Sequence, residues 1–202
     1  MSLPDGRTLV IGGVVAGQQQ PQAVASVLAV AAGGSGWSAL APLARARARA
    51  AATVLPDGKV LVAGGQSTLQ PDSALKTAEL YDPATNAWTA LPDMAHKRCQ
   101  PCVCALPSGL IAVVGGFGEG DQPRKDCEAF DPVKRTWEPL PEMDEERGNA
   151  AAAPVAGGMV VASDDTVTLF DEESGRWLAL AHPMAQPRDA MQLVPASALQ
   201  AS

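Results

Sequence analysis

Four arginines share one register. Arg47, Arg98, Arg147 and Arg188 each stand four residues after a large apolar residue, namely Leu43, Met94, Met143 and Met184. Arginine offers a planar, permanently charged fork that matches a carboxylate. A repeated set therefore points either to recognition of acidic groups or to bonds with carbonyls and acids of the chain itself. Local charge separates the members. Glu145 and Glu146 precede Arg147 and Asp189 follows Arg188, whereas Arg45 and Arg49 flank Arg47 without a neighbouring acid. The expectation is a free basic patch of Arg45, Arg47, Arg49 and Arg98, with Arg147 and Arg188 paired within the fold. Replacing Arg47 and Arg98 would then weaken an acidic partner and change stability little.

Other reactive side chains are sparse. Cys99, Cys102 and Cys104 are too close together for an ordinary disulfide framework. Even with Cys127 and His96 they lack the convergent tetrahedral spacing of a thiolate metal site, so buried thiols are expected and no metal. The chain has two histidines, His96 and His182, and one tyrosine, Tyr81. It contains no Gly-x-Ser-x-Gly, no His-Glu-x-x-His and no phosphate loop followed by a helix, so neither catalysis nor a cofactor is expected.

Composition narrows the partner classes. The 202 residues carry 15 Lys and Arg against 22 Asp and Glu, a net charge of -7. The balance is uneven, near +2 over residues 1–100 and -9 over 101–202. Nucleic acid and anionic membranes call for a clustered positive footprint, which this chain lacks. No basic segment leads into an apolar one at the start, and no apolar run approaches the roughly 20 residues of a membrane helix. The expected location is cytoplasmic.

The elements that must position the arginines form a repeat. Trp37, Trp88, Trp137 and Trp177 are spaced by 51, 49 and 40 residues. Seven residues before each stands a large apolar residue: Val30, Tyr81, Phe130 and Phe170. Between them "YDPATNAW", "FDPVKRTW" and "FDEESGRW" supply hairpin turns, and "VAAGGSGW" replaces Asp-Pro with glycines. Upstream, a turn and an apolar strand end on Gly12-Gly13, Gly64-Gly65 and Gly115-Gly116, with Ala162-Ser163 expected in the fourth unit. The glycines admit close backbone approach. Alanine-rich segments 44–53 and 150–153 have helical propensity. The same register elsewhere reads "CVCALP" and "MQLVP", so strands are expected there too.

Four strands per unit of about 50 residues is propeller-blade spacing. The Gly-Gly pair, the aromatic before Asp-Pro, the Trp seven residues on and the Leu-Pro-x-Met leading to Arg together resemble the kelch repeat. The resemblance covers nearly the whole chain. It implies an all-β fold, a kelch-type β-propeller of four four-stranded antiparallel blades, either closed or part of a larger propeller. One domain spans 1–202, with units near 1–43, 44–94, 95–143 and 144–184. The chain would enter at the second strand of a blade, near residues 7–11. Residues 189–195, within the segment 185–202, would complete the first blade as its innermost strand. In the family such closure removes exposed sheet edges.

The resemblance also implies a function. It points to a non-catalytic protein-interaction module, an adaptor or scaffold of the kind used in ubiquitin-ligase substrate recognition or cytoskeletal binding. Partner contact would fall on the loops Val14–Gln22, Gln66–Leu75 and Phe117–Lys125 and on the arginines, which would face an acidic partner segment. The alternative is a kelch-fold enzyme that isomerises or oxidises sugars and uses the arginines to hold a carboxylate. The Trp, Tyr, Phe and Gly positions are expected to be structural.

Overall fold

The computed structural model describes residues 1–16, 21–31, 33–34, 36–70, 72–163 and 166–180. Short apolar runs bounded by turn residues become strands throughout. The chain forms two compact units, Met1–Cys99 with Gly118–Asp121, and Gln100–Phe117 with Gln122–Ser202. In the first, β1 (Thr8–Ile11), β2 (Val14–Val15), β3 (Gln22–Ala23), β4 (Val27–Val30) and β5 (Ser38–Leu40) follow in order. Strands β1, β4 and β5 make one antiparallel sheet, and β2 and β3 a small ribbon in the loop between β1 and β4. Then β6 (Ala51–Val54), β7 (Val60–Ala63), β8 (Ala78–Asp82) and β9 (Ala87–Ala90) build a four-stranded sheet in chain order.

The second unit repeats that pattern twice. One sheet is β10 (Cys102–Ala105), β11 (Ile111–Val114), β12 (Cys127–Asp131) and β13 (Thr136–Leu140). The other is β14 (Ala151–Val155), β15 (Gly158–Ser163), β16 (Thr166–Asp171) and β17 (Arg176–Ala179). The alanine-rich segments form no helix: residues 51–53 lie in β6 and 151–153 in β14, where cross-strand pairing outweighs a weak helical preference, whereas 44–50 is an irregular loop and not the expected strand. The second strand of each four-stranded sheet is the most deeply buried: β7 and β11 are buried along their whole length.

Outer hairpins follow one plan. Tyr81 pairs directly with Trp88, Phe130 with Trp137 and Phe170 with Trp177. Their ring centroids lie 5.0, 5.1 and 5.0 Å apart in tilted geometry. In the turn, Asp131 Oδ1 accepts the Val133 and Lys134 N–H groups at 2.8 and 3.0 Å. Trp88 Nε1 donates to Ala41 O, and Trp177 Nε1 to Pro141 O, both at 2.8 Å. Each ring therefore also anchors the loop leaving the preceding sheet. Trp37 departs from the expected structural role: it is 57% exposed. Val30, seven residues before it, offers no ring to pack against.

The start of the chain corrects a second expectation. Met1–Leu3 folds back on β1, with Leu9 N–H donating to Met1 O and Leu3 N–H to Arg7 O, both at 2.7 Å. Ser2 bridges Thr8 as Val54 pairs with Val60. Met1–Leu3 is thus the end of an innermost strand, and the first sheet is not entered at its second strand. The signal was legible, since "SLPDG" repeats "VLPDG" and "ALPSG". Beyond Leu9 no described residue pairs with the other edge of β1, and Val10 is 48% exposed where its counterpart Val62 is 1%. Residues 189–195 lie outside the described residues.

Candidate functional site

The glycine pairs and the arginine loops lock together. Gly13 N–H donates to Arg47 O at 2.9 Å, Gly65 N–H to Arg98 O at 2.8 Å and Gly116 N–H to Arg147 O at 2.9 Å. In return the arginine N–H groups donate to Val24 O, Leu75 O and Arg124 O, in the connections after those pairs. The approach is close enough to require glycine. A Cβ on Gly115, at φ +59°, would lie 2.5 Å from Arg147 O. In the fourth sheet Ala162 pairs with Ala151 as Ala63 pairs with Ala51. This corrects the expected Ala162-Ser163: the register of the pair's first glycine falls on Ser163.

The Arg47 side chain crosses to the next sheet of its unit. Nη1 donates to Gly64 O at 2.8 Å and Thr77 O at 3.0 Å, and Nη2 to Thr77 Oγ1 at 3.3 Å and Glu79 Oε1 at 2.6 Å. Glu79 Oε2 accepts the Ala44 N–H at 2.7 Å. Arg47 and Glu79 are 1% and 3% exposed. Burial pulls the Arg47 guanidinium below its ordinary pKa, and the Glu79 bond opposes that pull. Main chain on one sheet and side chain on the next make this residue an inter-sheet clamp.

The expected free patch is therefore corrected at two positions. Arg47 is consumed by the clamp, and Arg98 is 0% exposed. Arg147 is buried as well, donating to Ser163 Oγ at 2.8 Å and Thr166 Oγ1 at 2.6 Å, with Glu145 at 3.6 Å. Arg45 and Arg49 are exposed. Arg188 lies outside the described residues. Sequence reasoning missed Glu79 as the buried partner. Its signal was an acid inside an apolar strand at one register in two repeats, "AELYD" and "CEAFD". A lone acid in such a run needs a cation.

All four cysteines are buried and free of disulfides. Cys102, Cys104 and Cys127 join Met143, Val161 and Phe170 in the apolar core of the second unit. Burial pushes the Cys104 thiol up to about 11. Cys99 Sγ donates to Gln66 Oε1 at 3.1 Å, and burial raises its pKa while nearby Arg49 opposes that. Among the described residues no three of His, Cys, Asp or Glu converge as metal ligands. No helix among them is long and apolar enough to cross a membrane.

A concave feature of the first unit lies between two of its inter-strand loops. A cleft of about 490 Å³ is lined by Pro21, Gln22 and Ala23 on one side and Ser67, Thr68, Leu69 and Gln70 on the other. Nothing in that lining titrates near neutrality. Val14 and Val15 are about half exposed on the ribbon that carries its first wall. Gln66, at the base of the second wall, pairs with Ala48, which puts the exposed Arg49 beside the same loop.

A family model described as "Kelch motif" matches residues 47–95 and 98–144, the segments that hold strands β6–β9 and β10–β13. The chain is a kelch-repeat protein. Its similarity extends to the F-box/kelch-repeat protein At1g80440 of Arabidopsis thaliana, 39% identical over 66 residues, 33% of this chain and 18% of that protein. The F-box/kelch-repeat protein At2g44130 of the same plant is 33% identical over 120 residues, 59% of this chain and 28% of that protein. The chain thus spans less than a third of the length of these curated relatives. Among solved structures, "Structure of YjhT" superimposes with a TM-score of 0.81 over 95% of this chain and 72% of that one, at 14% identity. At that identity the likeness speaks to the fold, a kelch-type β-propeller fold. Among the described residues the kelch blades are three sheets of four strands and a first sheet of three strands plus Met1–Leu3.

Proposed function

We propose that this chain is a non-catalytic protein-binding module that engages its partner through the loops between the second and third strands of its blades. The cleft between Pro21–Ala23 and Ser67–Gln70 carries the reading. Its walls offer hydroxyls, amides and apolar surface, with no acid, base or thiol to run a reaction. Loops of this kind, held on rigid blades, are where recognition residues can vary without disturbing a core. The exposed Arg45 and Arg49 extend the surface and favour a partner segment with acidic residues. The relatives named F-box/kelch-repeat proteins agree with an adaptor role, in which the kelch part selects a partner for another domain.

Affinity capture tests this with three chains: wild type, a cleft variant (Thr68→Glu with Leu69→Asp) and a charge variant (Arg45→Ala with Arg49→Ala). A partner retained by wild type, lost by the cleft variant and made insensitive to salt in the charge variant is the expected result. Equal recovery on all three chains refutes the loop-face assignment.

A further inference from the structure

The fourth blade keeps the arginine clamp but has lost its acid. Val62 pairs with Glu79 in blade two, and Val161 pairs with Thr168 in blade four. Thr168 therefore stands where blade two has a carboxylate. The rest of the cradle is retained, with Ser163 and Thr166 receiving Arg147 as Gly64 and Thr77 receive Arg47. Arg147 is nevertheless 3% exposed. The carboxylate seen near it belongs to Glu145, at 3.6 Å on a side chain 66% exposed. That is too long for a charge-assisted hydrogen bond.

Two observations show that the missing acid leaves a vacant place. Thr168 Oγ1 is buried without a hydrogen-bond partner. Beside it a cavity of about 150 Å³ is lined by Asp144, Glu145, Arg147, Thr166, Thr168 and Leu180. Arg147 Nε is also unpartnered, but so is Arg47 Nε, so that atom belongs to the clamp design. The Thr168 hydroxyl has no such parallel in Glu79. In blade two the acid bonds the Ala44 N–H as well as Arg47. Asp144 holds Ala44's place after the apolar residue, and it too lines the cavity.

We propose that the cavity at Arg147 binds a carboxylate from outside the chain, which takes the place of the Glu79 side chain in blade two. Arg147 and the Thr168 hydroxyl donate to it. Asp144 and Glu145 at the rim repel additional negative charge, which selects a single carboxylate over phosphate or a dianion. The source is either a small free monocarboxylate or an Asp or Glu side chain of a bound polypeptide. The site stands without the partner-binding reading, because free acetate probes it alone.

The test compares thermal stability of wild type, Thr168→Glu and Thr168→Val in sodium acetate and in sodium chloride of equal ionic strength. An amidated acidic peptide, with its Glu-to-Gln analogue as control, forms the second arm. Thr168→Glu, which supplies the carboxylate in cis, should melt higher than wild type and lose the response to either probe. Thr168→Val should keep the fold and bind at least tenfold more weakly. Stabilisation of wild type by acetate assigns a free carboxylate; stabilisation by the peptide alone assigns a polypeptide source. The proposal is overturned if neither probe exceeds its control, as it would if another acid of the chain already filled the cavity. It is equally overturned if Thr168→Glu responds like wild type or melts lower.

Discussion

Arg47→Ala should be among the most damaging single substitutions in the first unit. It removes four hydrogen bonds, to Gly64 O, Thr77 O, Thr77 Oγ1 and Glu79 Oε1. It leaves Glu79, 3% exposed, with only the Ala44 N–H. Stripping one partner from a buried pair costs about 3–5 kcal/mol, mostly the penalty of the stranded charge. Against a total of about 5–15 kcal/mol that is a large fraction. For a chain of this size it corresponds to a fall in Tm of about 6–20 °C. Urea unfolding followed by tryptophan fluorescence reads it, because Trp88 reports on the same pair of blades. Replacing both partners, Arg47→Met with Glu79→Leu, should recover most of the loss, since an apolar pair of similar volume is near neutral. Exposed Arg45→Ala serves as the control and should stay within about 0.5 kcal/mol. If Arg47→Ala behaves like Arg45→Ala, the clamp is not structural and the basic-patch reading returns.

Gly115→Ala places a methyl group 2.5 Å from Arg147 O on a left-handed backbone, and should cost more than about 1–3 kcal/mol of strain by urea titration; a cost under 0.5 kcal/mol would show that the glycine–arginine contact is loose. Cys104 is held up to about 11 against an ordinary 9.0, so its folded form keeps a proton that the unfolded chain loses. Its contribution is complete below pH 9 and disappears as pH rises towards 11, and Cys104→Ala should flatten that alkaline decline; an unchanged slope would contradict the burial argument. Asp131 is held below its ordinary value of 3.8, first by the Lys134 N–H, so it stabilises above that value and the benefit is lost as pH falls through its lowered one. Asp131→Asn should flatten the acid limb of a stability profile below pH 4, and a profile identical to wild type would remove the turn from the account.

Much of the fold was legible because each kelch unit repeats its own grammar. The Tyr81–Trp88, Phe130–Trp137 and Phe170–Trp177 pairs follow from one seven-residue spacing, and the glycine pairs sit where backbone meets backbone. The site was less legible. Arg45, Arg47 and Arg49 look alike in sequence, and local charge suggested that all three were free. What separates them is alternation along an irregular loop, which buries Arg47 and exposes its neighbours. Arg47's counter-charge lies 32 residues away on another strand. No local pattern announces a pairing at that range; only the strand register brings Glu79 under the loop. The Met1–Leu3 strand end was missed for a different reason: three residues are too short for a periodic signal. Its turn chemistry, shared with Leu55–Gly58 and Leu106–Gly109, was the better guide.

The central claim, that the loop face receives a protein partner, is tested most directly by site-specific photo-crosslinking. A photoreactive side chain at Leu69, partly buried in the cleft wall, is compared with one at Val133, 90% exposed on an outer hairpin turn, a control more accessible than the test position. The account predicts a discrete heavier adduct from Leu69 that is absent from Val133 and competed away by the unlabelled chain. No adduct at Leu69, or the same adducts from both positions, would contradict it.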